Sequence, residues 1–312
     1  MSGHFQKQRR FKTLKGLFTT PIPYEARLAE GDKWSNYFGN YVGQRYGRWD
    51  TSCCWAYAAV GKAETQLEWL WKNNKFSDDT KRWFKDNGYI DEDGDFYLSR
   101  RWAAILAGSF NNGNDNQEFW RLASTAGLIP YTMLPFEVKD GVFYYNQAEF
   151  NKDFFNKDLI TKEMEELGKE FLKRVHIDYQ ELGKRWTVRQ PSLLQSALRQ
   201  SPLQIGVPVP LYGWNQEKVD WDGQKQPAHS IELYEYDETS DYPYMIYDSY
   251  EPHLKRLSRD YVIPLITQAV LTPTGYAPKK EAEKTFLDKL WEAVRAFWYG
   301  EKIPAGYPIG VV

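Results

Sequence analysis

The residues with the clearest chemical potential are the cysteines in TSCCWAYAAV, residues 51–60. Cys53 and Cys54 are the only two cysteines among 312 residues. A cysteine is a nucleophile only as a thiolate, and a helix N-terminus favours the thiolate because its dipole and free N–H groups attract negative charge. Helix N-cap residue types precede Cys54, and a helical apolar pattern follows it. We therefore expect Cys54 to begin a helix and act as a nucleophile, with Cys53 as a packing residue.

A thiolate nucleophile also needs a histidine that takes the proton of the thiol. The chain has four: His4 lies in a basic N-terminal segment, His176 follows a charged helical pattern, and His253 lies in a polar loop. His229 opens the first of two alternating segments, HSIELYEY and YPYMIYDSY, which flank the polar turn DETSD. This alternation predicts a β-hairpin. We take His229 as the candidate base and expect His176 and His253 to be solvated or structural.

The hairpin register predicts a partner for His229. If the turn centres between Thr239 and Ser240, the numbers of paired residues add up to 479, so Ile231 faces Asp248. His229 and Ile231 share a face, so His229 and Asp248 are diagonal neighbours about 7–8 Å apart at Cα. A one-residue slip without a bulge would place them on opposite faces. Asp248 is therefore the predicted carboxylate that orients the histidine.

The other sequence patterns place helices mainly in the first half of the chain and strands in the second. The segregation predicts an α+β fold. Helical periodicity and its Gly, Asn and Pro boundaries predict helices. The predicted helices cover about residues 51–74, 78–87, 99–108, 116–127, 161–175, 191–200 and 279–299.

We predict three regions along the chain. Residues 1–40 form an N-terminal arm, 41–270 form the main domain, and 271–312 carry an amphipathic helix and a tail. Within the main domain, the helical half covers about 41–135, an insertion about 137–190 and the β half about 191–265. The aromatic face of the C-terminal helix 279–299 suits docking on the domain or a protein partner.

Composition excludes several classes of function. The formal net charge of −2 gives no reason to expect a nucleic-acid partner. We expect no membrane span, because no run of 18 apolar residues exists, and no secretory signal, because the first residues lack an apolar stretch. Two adjacent cysteines give no disulfide framework, which is typical of a reducing compartment. We expect a cytoplasmic or virion-associated protein without metal or cofactor.

Four segments, in order, resemble the papain-like cysteine peptidases. SCCWAYAAV is similar to the family's GSCWAFSAV, and LSRRWAAILAGSFNNGNDNQEFWRLASTAGLIPYTMLPF to its segment built around CNGG. LLQSALRQSPLQIGVPV and HSIELYEY with YPYMIYDSYE resemble the family's later strand and histidine hairpin. The resemblance covers about residues 40–262, some two-thirds of the chain. It implies a papain-like fold, with a helical half, an antiparallel β half and an active-site cleft between them.

The resemblance also implies roles for individual residues. Cys54 would be the nucleophile, His229 the general base and acid, and Asp248 would stand where the family usually has Asn. An Asp there should raise the pKa of the histidine through its charge. Gln44 would donate to the oxyanion together with the Cys54 backbone N–H.

The sequence departs from the family pattern in ways that bear on these roles. Gln44 lies ten residues before Cys54, whereas the family interval is shorter, and Arg48 occupies the usual position. The separation between Cys54 and His229 is 175 residues, against about 130–150 in the family. Tyr250 and Glu251 replace the usual Trp and Gly. Thr51 and Asn111 replace disulfide cysteines, and Asn112 and Gly113 are candidate substrate-binding residues.

The predicted activity is therefore hydrolysis of peptide or isopeptide bonds by a divergent family member of intracellular, bacterial or phage type. Its partner would be a protein or peptide substrate. Two alternatives use the same chain differently. One is a transglutaminase or peptidoglycan amidase with the same triad. The other is a papain-fold structural or assembly protein, for example of a virus particle, with weak or no activity.

Overall fold

The computed structural model describes residues 28–108, 114–137, 144–182 and 191–275. The candidate substrate residues Asn112 and Gly113, the predicted arm up to residue 27 and the helix predicted at 279–299 lie outside these ranges. The helices of the described residues are α1 (Cys54–Lys72), α2 (Asp78–Asp86), α3 (Arg100–Ala107), α4 (Asn116–Ala126), α5 (Gln147–Phe154), α6 (Lys162–Leu172) and α7 (Pro191–Gln200).

The strands of the described residues form a small hairpin and one large sheet. They are β1 (Arg45–Tyr46), β2 (Trp49–Asp50), β3 (Val175–Glu181), β4 (Leu203–Val207), β5 (Lys218–Val219), β6 (His229–Tyr236), β7 (Tyr244–Tyr247), β8 (Leu254–Leu257) and β9 (Leu265–Pro273). Strands β1 and β2 pair with each other. The large sheet has the order β3-β9-β4-β6-β7-β8-β5 and is antiparallel except for the β5–β8 pair.

The predicted α+β fold, a helical half followed by an antiparallel β half, is confirmed. Helices α1 to α4 precede the large sheet in the chain, and α1 packs against its central strand β6. The sheet also contains four strands that the sequence patterns did not predict: β3, β5, β8 and β9. Strand β3 pairs with β9 along the full length of β3, and β3 lies inside the range predicted as an insertion. The division of the chain into three regions stays a prediction.

Helix α1 passes through the interior of the helical half. Small residues on it, Ala56, Ala59 and Ala63, have no exposed surface, so neighbouring elements approach the helix closely. Trp55 and Leu67 are equally buried on the same helix. A helix buried around most of its circumference departs from the one-sided apolar stripe that its sequence predicts. The start of α1 is therefore fixed by packing on several sides.

Two buried glutamates of α1 accept hydrogen bonds from neighbouring elements. Glu64 receives two hydrogen bonds from the Arg100 guanidinium, of 2.7 and 2.5 Å, and one from the Leu98 N–H of 2.7 Å. Glu68 accepts from the Phe96 N–H. Since a buried charge without a partner is costly, these bonds attach α1 to α3 and to the segment before it.

Helix α4, whose first residue Asn116 lies next to the candidate site, is held at its start by a side-chain cap. The Asp115 carboxylate accepts from the Gln117 N–H at 2.9 Å. We expect Asp115→Ala to lower the free energy of unfolding by about 1 kcal/mol, because one helix N–H loses its acceptor. Guanidinium denaturation measures this change.

The matched control is Asp86→Ala, the same substitution at the last residue of α2. A negative charge is unfavourable at a helix C-terminus, so this change should leave stability equal or slightly higher. Equal losses in both variants would contradict a capping role for Asp115.

Among the described helices, none combines the length and apolar character needed to cross a bilayer.

Candidate active site

The two adjacent cysteines occupy different environments. Cys54 is the first residue of α1, and its side chain keeps about 7% exposure, whereas Cys53 has none. The Cys53 thiol donates to the Thr51 carbonyl at 3.2 Å, and burial raises its pKa well above the ordinary range. The Cys54 sulfur accepts from the Ser230 N–H at 3.4 Å. The structure therefore separates a packing thiol from one that faces the β half.

The chain turns into α1 through a left-handed residue. Ser52 has φ of 54°, a region that non-glycine residues seldom adopt. Its N–H donates to the Asp50 carboxylate at 2.8 Å, and the next N–H back, of Thr51, donates to the Gln44 carbonyl at 3.2 Å. These bonds hold the turn that places Cys54 at the helix start. The first N–H groups of a helix have no partner within the helix, so the Cys54 N–H is a donor at this point.

His229 and Asp248 are brought together by the large sheet. The His229 Nε2 lies 2.6 Å from the Asp248 Oδ1, and both side chains are almost fully buried. Because Nε2 is engaged with the carboxylate, Nδ1 is the ring nitrogen left for a thiol. Burial lowers the pKa of His229, but the charge of Asp248 and the charge and hydrogen bond of Cys54 outweigh it and raise the pKa to about 10.

The predicted hairpin register is confirmed at the end nearest the site, where Glu232 pairs with Tyr247 and Leu233 with Ile246. Towards the turn the pairing shifts by one residue through an irregularity between Leu233 and Glu235. The turn itself is therefore centred half a residue later than expected. Such a bulge compensates for the shifted turn and keeps His229 and Asp248 on one face.

Lys255, on β8, completes the site and was not among the predicted residues. Its ammonium lies 2.7 Å from the second carboxylate oxygen of Asp248 and 2.6 Å from the Tyr250 carbonyl. The side chain has no exposed surface. Burial raises the pKa of Asp248, but His229 and Lys255 together hold it below its ordinary value. The buried carboxylate thus has a cationic partner on each side.

Two aromatic rings enclose the imidazole. The Tyr250 ring lies with its centroid 5.1 Å from that of His229 at an interplanar angle of 32°, and the Trp214 ring lies 5.4 Å away at 86°. Such rings exclude water and strengthen the bond between His229 and Asp248. Tyr250 stands where the resemblance leads one to expect Trp, so its aromatic character was readable from sequence. Trp214 had no signal of this kind.

Gln44 is buried next to Tyr250, and both ends of its side-chain amide form hydrogen bonds. Its Nε2 donates to the Asp50 carboxylate at 2.8 Å and to the Tyr250 hydroxyl at 2.6 Å, while its Oε1 accepts from Ser249 at 2.7 Å. The Tyr250 hydroxyl in turn donates to Asp50 at 2.6 Å. Gln44, Asp50 and Tyr250 therefore form a closed ring of hydrogen bonds. The role of Gln44 as oxyanion donor stays a prediction.

A network of buried hydrogen bonds around Gln204 connects the elements of the site. The Gln204 amide donates to the Trp55 carbonyl at 2.8 Å, to Asn116 at 3.0 Å and to Ser230 at 3.0 Å. Ser230 also donates to Asn116 at 2.9 Å. This network joins α1, α4, β4 and β6, the elements that carry Cys54 and His229. Single polar residues in apolar segments were its only sequence signal.

The other histidines have separate environments. His176 is half exposed beside Asp178, 3.1 Å away. His253 donates from Nδ1 to the Asp248 carbonyl at 2.8 Å, which holds the loop after β7. His4 lies outside the described residues. In the ranges that the structure describes, no three His, Cys, Asp or Glu side chains lie close enough to bind a metal ion.

No protein-family model and no curated protein matches the sequence. Among solved structures, the chain is similar to the Amb a 11 cysteine protease of ragweed pollen in its proform, with 15% identity over 84% of this chain and 69% of that chain, at a TM-score of 0.44. It is also similar to the bromelain protease of Ananas comosus in complex with the E64 inhibitor, with 13% identity over 79% and 99% and a TM-score of 0.46. A third similar structure is procathepsin L 3 of Tenebrio molitor larval midgut. It has 12% identity over 81% of this chain and 71% of that chain, at a TM-score of 0.47.

Proposed function

We propose that this protein is a papain-like cysteine peptidase that hydrolyses peptide or isopeptide bonds through a thioester. One observation carries the proposal: Cys54 opens a buried helix, its sulfur accepts from the N–H of Ser230, the residue after His229, and the His229 Nε2 lies 2.6 Å from the buried Asp248 carboxylate. A nucleophile, a base and a group that orients the base are the parts that acyl transfer needs. The narrower assignments to a bacterial or phage type and to a compartment stay predictions.

In the proposed reaction, the Cys54 thiolate attacks the carbonyl carbon and a carbon–sulfur bond forms. The carbonyl oxygen becomes an oxyanion, which the Cys54 N–H and the Gln44 amide stabilise. Because both Nε2 protons of Gln44 already have acceptors, one must exchange its acceptor for the oxyanion. The neutral Tyr250 hydroxyl is the weaker competitor of the two, since Asp50 carries a charge.

The thioester forms when the imidazolium of His229 gives its proton to the leaving amine and the carbon–nitrogen bond breaks. Water then attacks the thioester with His229 as base, and the Cys54 thiolate leaves. Asp248 keeps the imidazole in one orientation and stabilises its charged form in both steps. The chain's own groups supply each proton transfer.

The test is a cleavage assay with mixed peptides from a denatured protein, in water enriched in oxygen-18. Thioester hydrolysis should place this isotope in each new carboxyl terminus, read by mass spectrometry, and Cys54→Ala should remove all cleavage. An amine added to the assay separates the alternatives, since a transglutaminase would join it to the acyl group. Cleavage of muropeptides alone would indicate the amidase.

No product in any of these assays, together with a Cys54 that reacts like an ordinary thiol, would contradict the proposed activity. The assembly role would then be the better explanation. Retention of a stable oligomer or particle association in Cys54→Ala would support that role directly, because scaffolding needs no thiolate.

A further inference from the structure

A buried lysine shares the carboxylate that orients the candidate base. The Asp248 carboxylate gives one oxygen to His229 at 2.6 Å and the other to the Lys255 ammonium at 2.7 Å. Neither Asp248 nor Lys255 has exposed side-chain surface. Because a buried ammonium loses its hydration, its position here needs the carboxylate and the Tyr250 carbonyl to replace water.

The charges at this point alternate along one line of contacts. When the thiol is ionised, Cys54 is negative, His229 positive, Asp248 negative and Lys255 positive. Without the lysine, an uncompensated carboxylate would lie directly behind the imidazole. An opposite charge within about 4–6 Å shifts a titration by about 1–3 units, so an isolated aspartate would hold the imidazole proton strongly. A general acid works best when it can release its proton near the working pH.

We propose that Lys255 is a positioning residue that acts through Asp248: by sharing the carboxylate with His229, it makes the pair of Asp248 and Lys255 a nearly neutral acceptor and so sets how readily His229 releases its proton. The inference rests on the proposed function, since it assigns a use to that same site. It also explains how an aspartate can serve where the resemblance leads one to expect a neutral asparagine.

The surroundings of His229 leave few other charges that could perform this role. Cys54 faces it from α1, Asp248 and Tyr250 from the segment after β7, and Trp214 from the loop between β4 and β5. The Trp214 ring also lies 5.5 Å from the Lys255 ammonium, so it is a neighbour of both His229 and Lys255. Burial lowers the pKa of Lys255, and Asp248 opposes that effect.

The experiment titrates His229 directly by NMR of protein with nitrogen-15-labelled histidine. It uses the full chain with Cys54→Ala, because a thiolate and an imidazolium titrate as a coupled pair. The key variant in this background is Lys255→Gln, which removes the charge and keeps a hydrogen-bond donor. We expect the pH at the midpoint of the His229 titration to rise by about one pH unit or more, because the negative charge of Asp248 then lacks the positive charge of Lys255.

Two further variants make the outcome specific. Asp248→Asn with Lys255→Gln removes both charges, and the midpoint should return to the parent value or below it. Lys218→Gln, on the neighbouring strand β5 and exposed, should leave the midpoint unchanged. If Lys255→Gln alone does not fold, the double variant still decides, because a midpoint above that of the parent protein would overturn the proposal.

An unchanged midpoint in Lys255→Gln would also overturn the proposal, since Lys255 would then serve only as a hydrogen-bond donor to a structural carboxylate. The peptide assay on chains that retain Cys54 is read separately. A shifted midpoint without peptide cleavage would support the role of Lys255 while removing the proposed peptidase activity. Peptide cleavage together with an unchanged midpoint would support the proposed peptidase activity and overturn the role of Lys255.

Discussion

In a His229→Ala variant, alkylation of Cys54 by iodoacetamide at pH 6 is expected to slow by about 10- to 100-fold. An ordinary thiol with a pKa of about 8.5 is only about 0.3% thiolate at that pH. In the proposed pair the His229 imidazolium stabilises the thiolate, and the substitution removes that stabilisation. The measurement is the alkylation rate from pH 4 to 9, read on the Cys54 peptide by tandem mass spectrometry.

The shape of the profile is the stronger observable. Burial lowers the pKa of His229, but Asp248 and Cys54 raise it overall, so the imidazolium persists above the ordinary histidine range near pH 6.5. The parent rate should therefore be flat between about pH 5 and 8, whereas the variant rate should climb about tenfold per pH unit up to about 8.5. A parent profile that already climbs in this way would contradict the ion pair.

Cys53 supplies an internal control for this experiment. Its thiol is fully buried and its pKa is raised by burial, so it should stay unmodified in the folded protein at every pH tested. A Cys53→Ala variant should reproduce the parent profile, which shows that the signal belongs to Cys54. Equal labelling of both cysteines would indicate that the protein is unfolded under the conditions of the assay.

Gln44→Ala is expected to lower the turnover number for peptide cleavage by about 100- to 1,000-fold. Removal of one oxyanion donor costs this much in enzymes that stabilise a tetrahedral intermediate. The substitution does not touch the contact between His229 and Asp248, so the alkylation profile of Cys54 should stay flat. Steady-state cleavage of one peptide, beside the alkylation profile, measures both effects on the same protein.

The control for Gln44→Ala is Gln180→Ala, on the edge strand β3, where the amide contacts Gln268 at 3.2 Å. It should leave turnover within about a factor of two, because surface and edge changes are generally small. If Gln44→Ala also abolishes the flat alkylation profile, its bonds to Asp50 and Tyr250 serve mainly to hold the site together. The oxyanion role would then be wrong.

Much of the candidate site was predictable from local sequence. The start of α1 at Cys54 follows from N-cap residue types before an apolar helical pattern, because helix ends are set by nearby backbone groups. The choice of His229 and Asp248 follows from alternation around a polar turn, because strand pairs have a period of two residues. Both the helix start and the strand alternation depend on residues that are close together in the sequence.

The hairpin shows where such reasoning reaches its limit. The structure has the turn half a residue later than the sequence pattern indicates, with a bulge between Leu233 and Glu235 that restores the pairing at the site. With the later turn and no bulge, Asp248 would pair with Glu232 and face away from His229. Which residue bulges depends on packing of both sheet faces, and the alternation pattern does not record it.

The sequence by itself determined the α+β class, the position of the candidate nucleophile at a helix start and the hairpin that carries the candidate base. Only the tertiary structure decided the partners of Asp248. On β8, Leu254 is exposed and Lys255 is buried, which reverses the side of the strand that their polarity favours. The reversal is stable because Lys255 meets a carboxylate seven residues earlier on the neighbouring strand end. An ion pair of this kind depends on two elements meeting in space, so no local pattern encodes it.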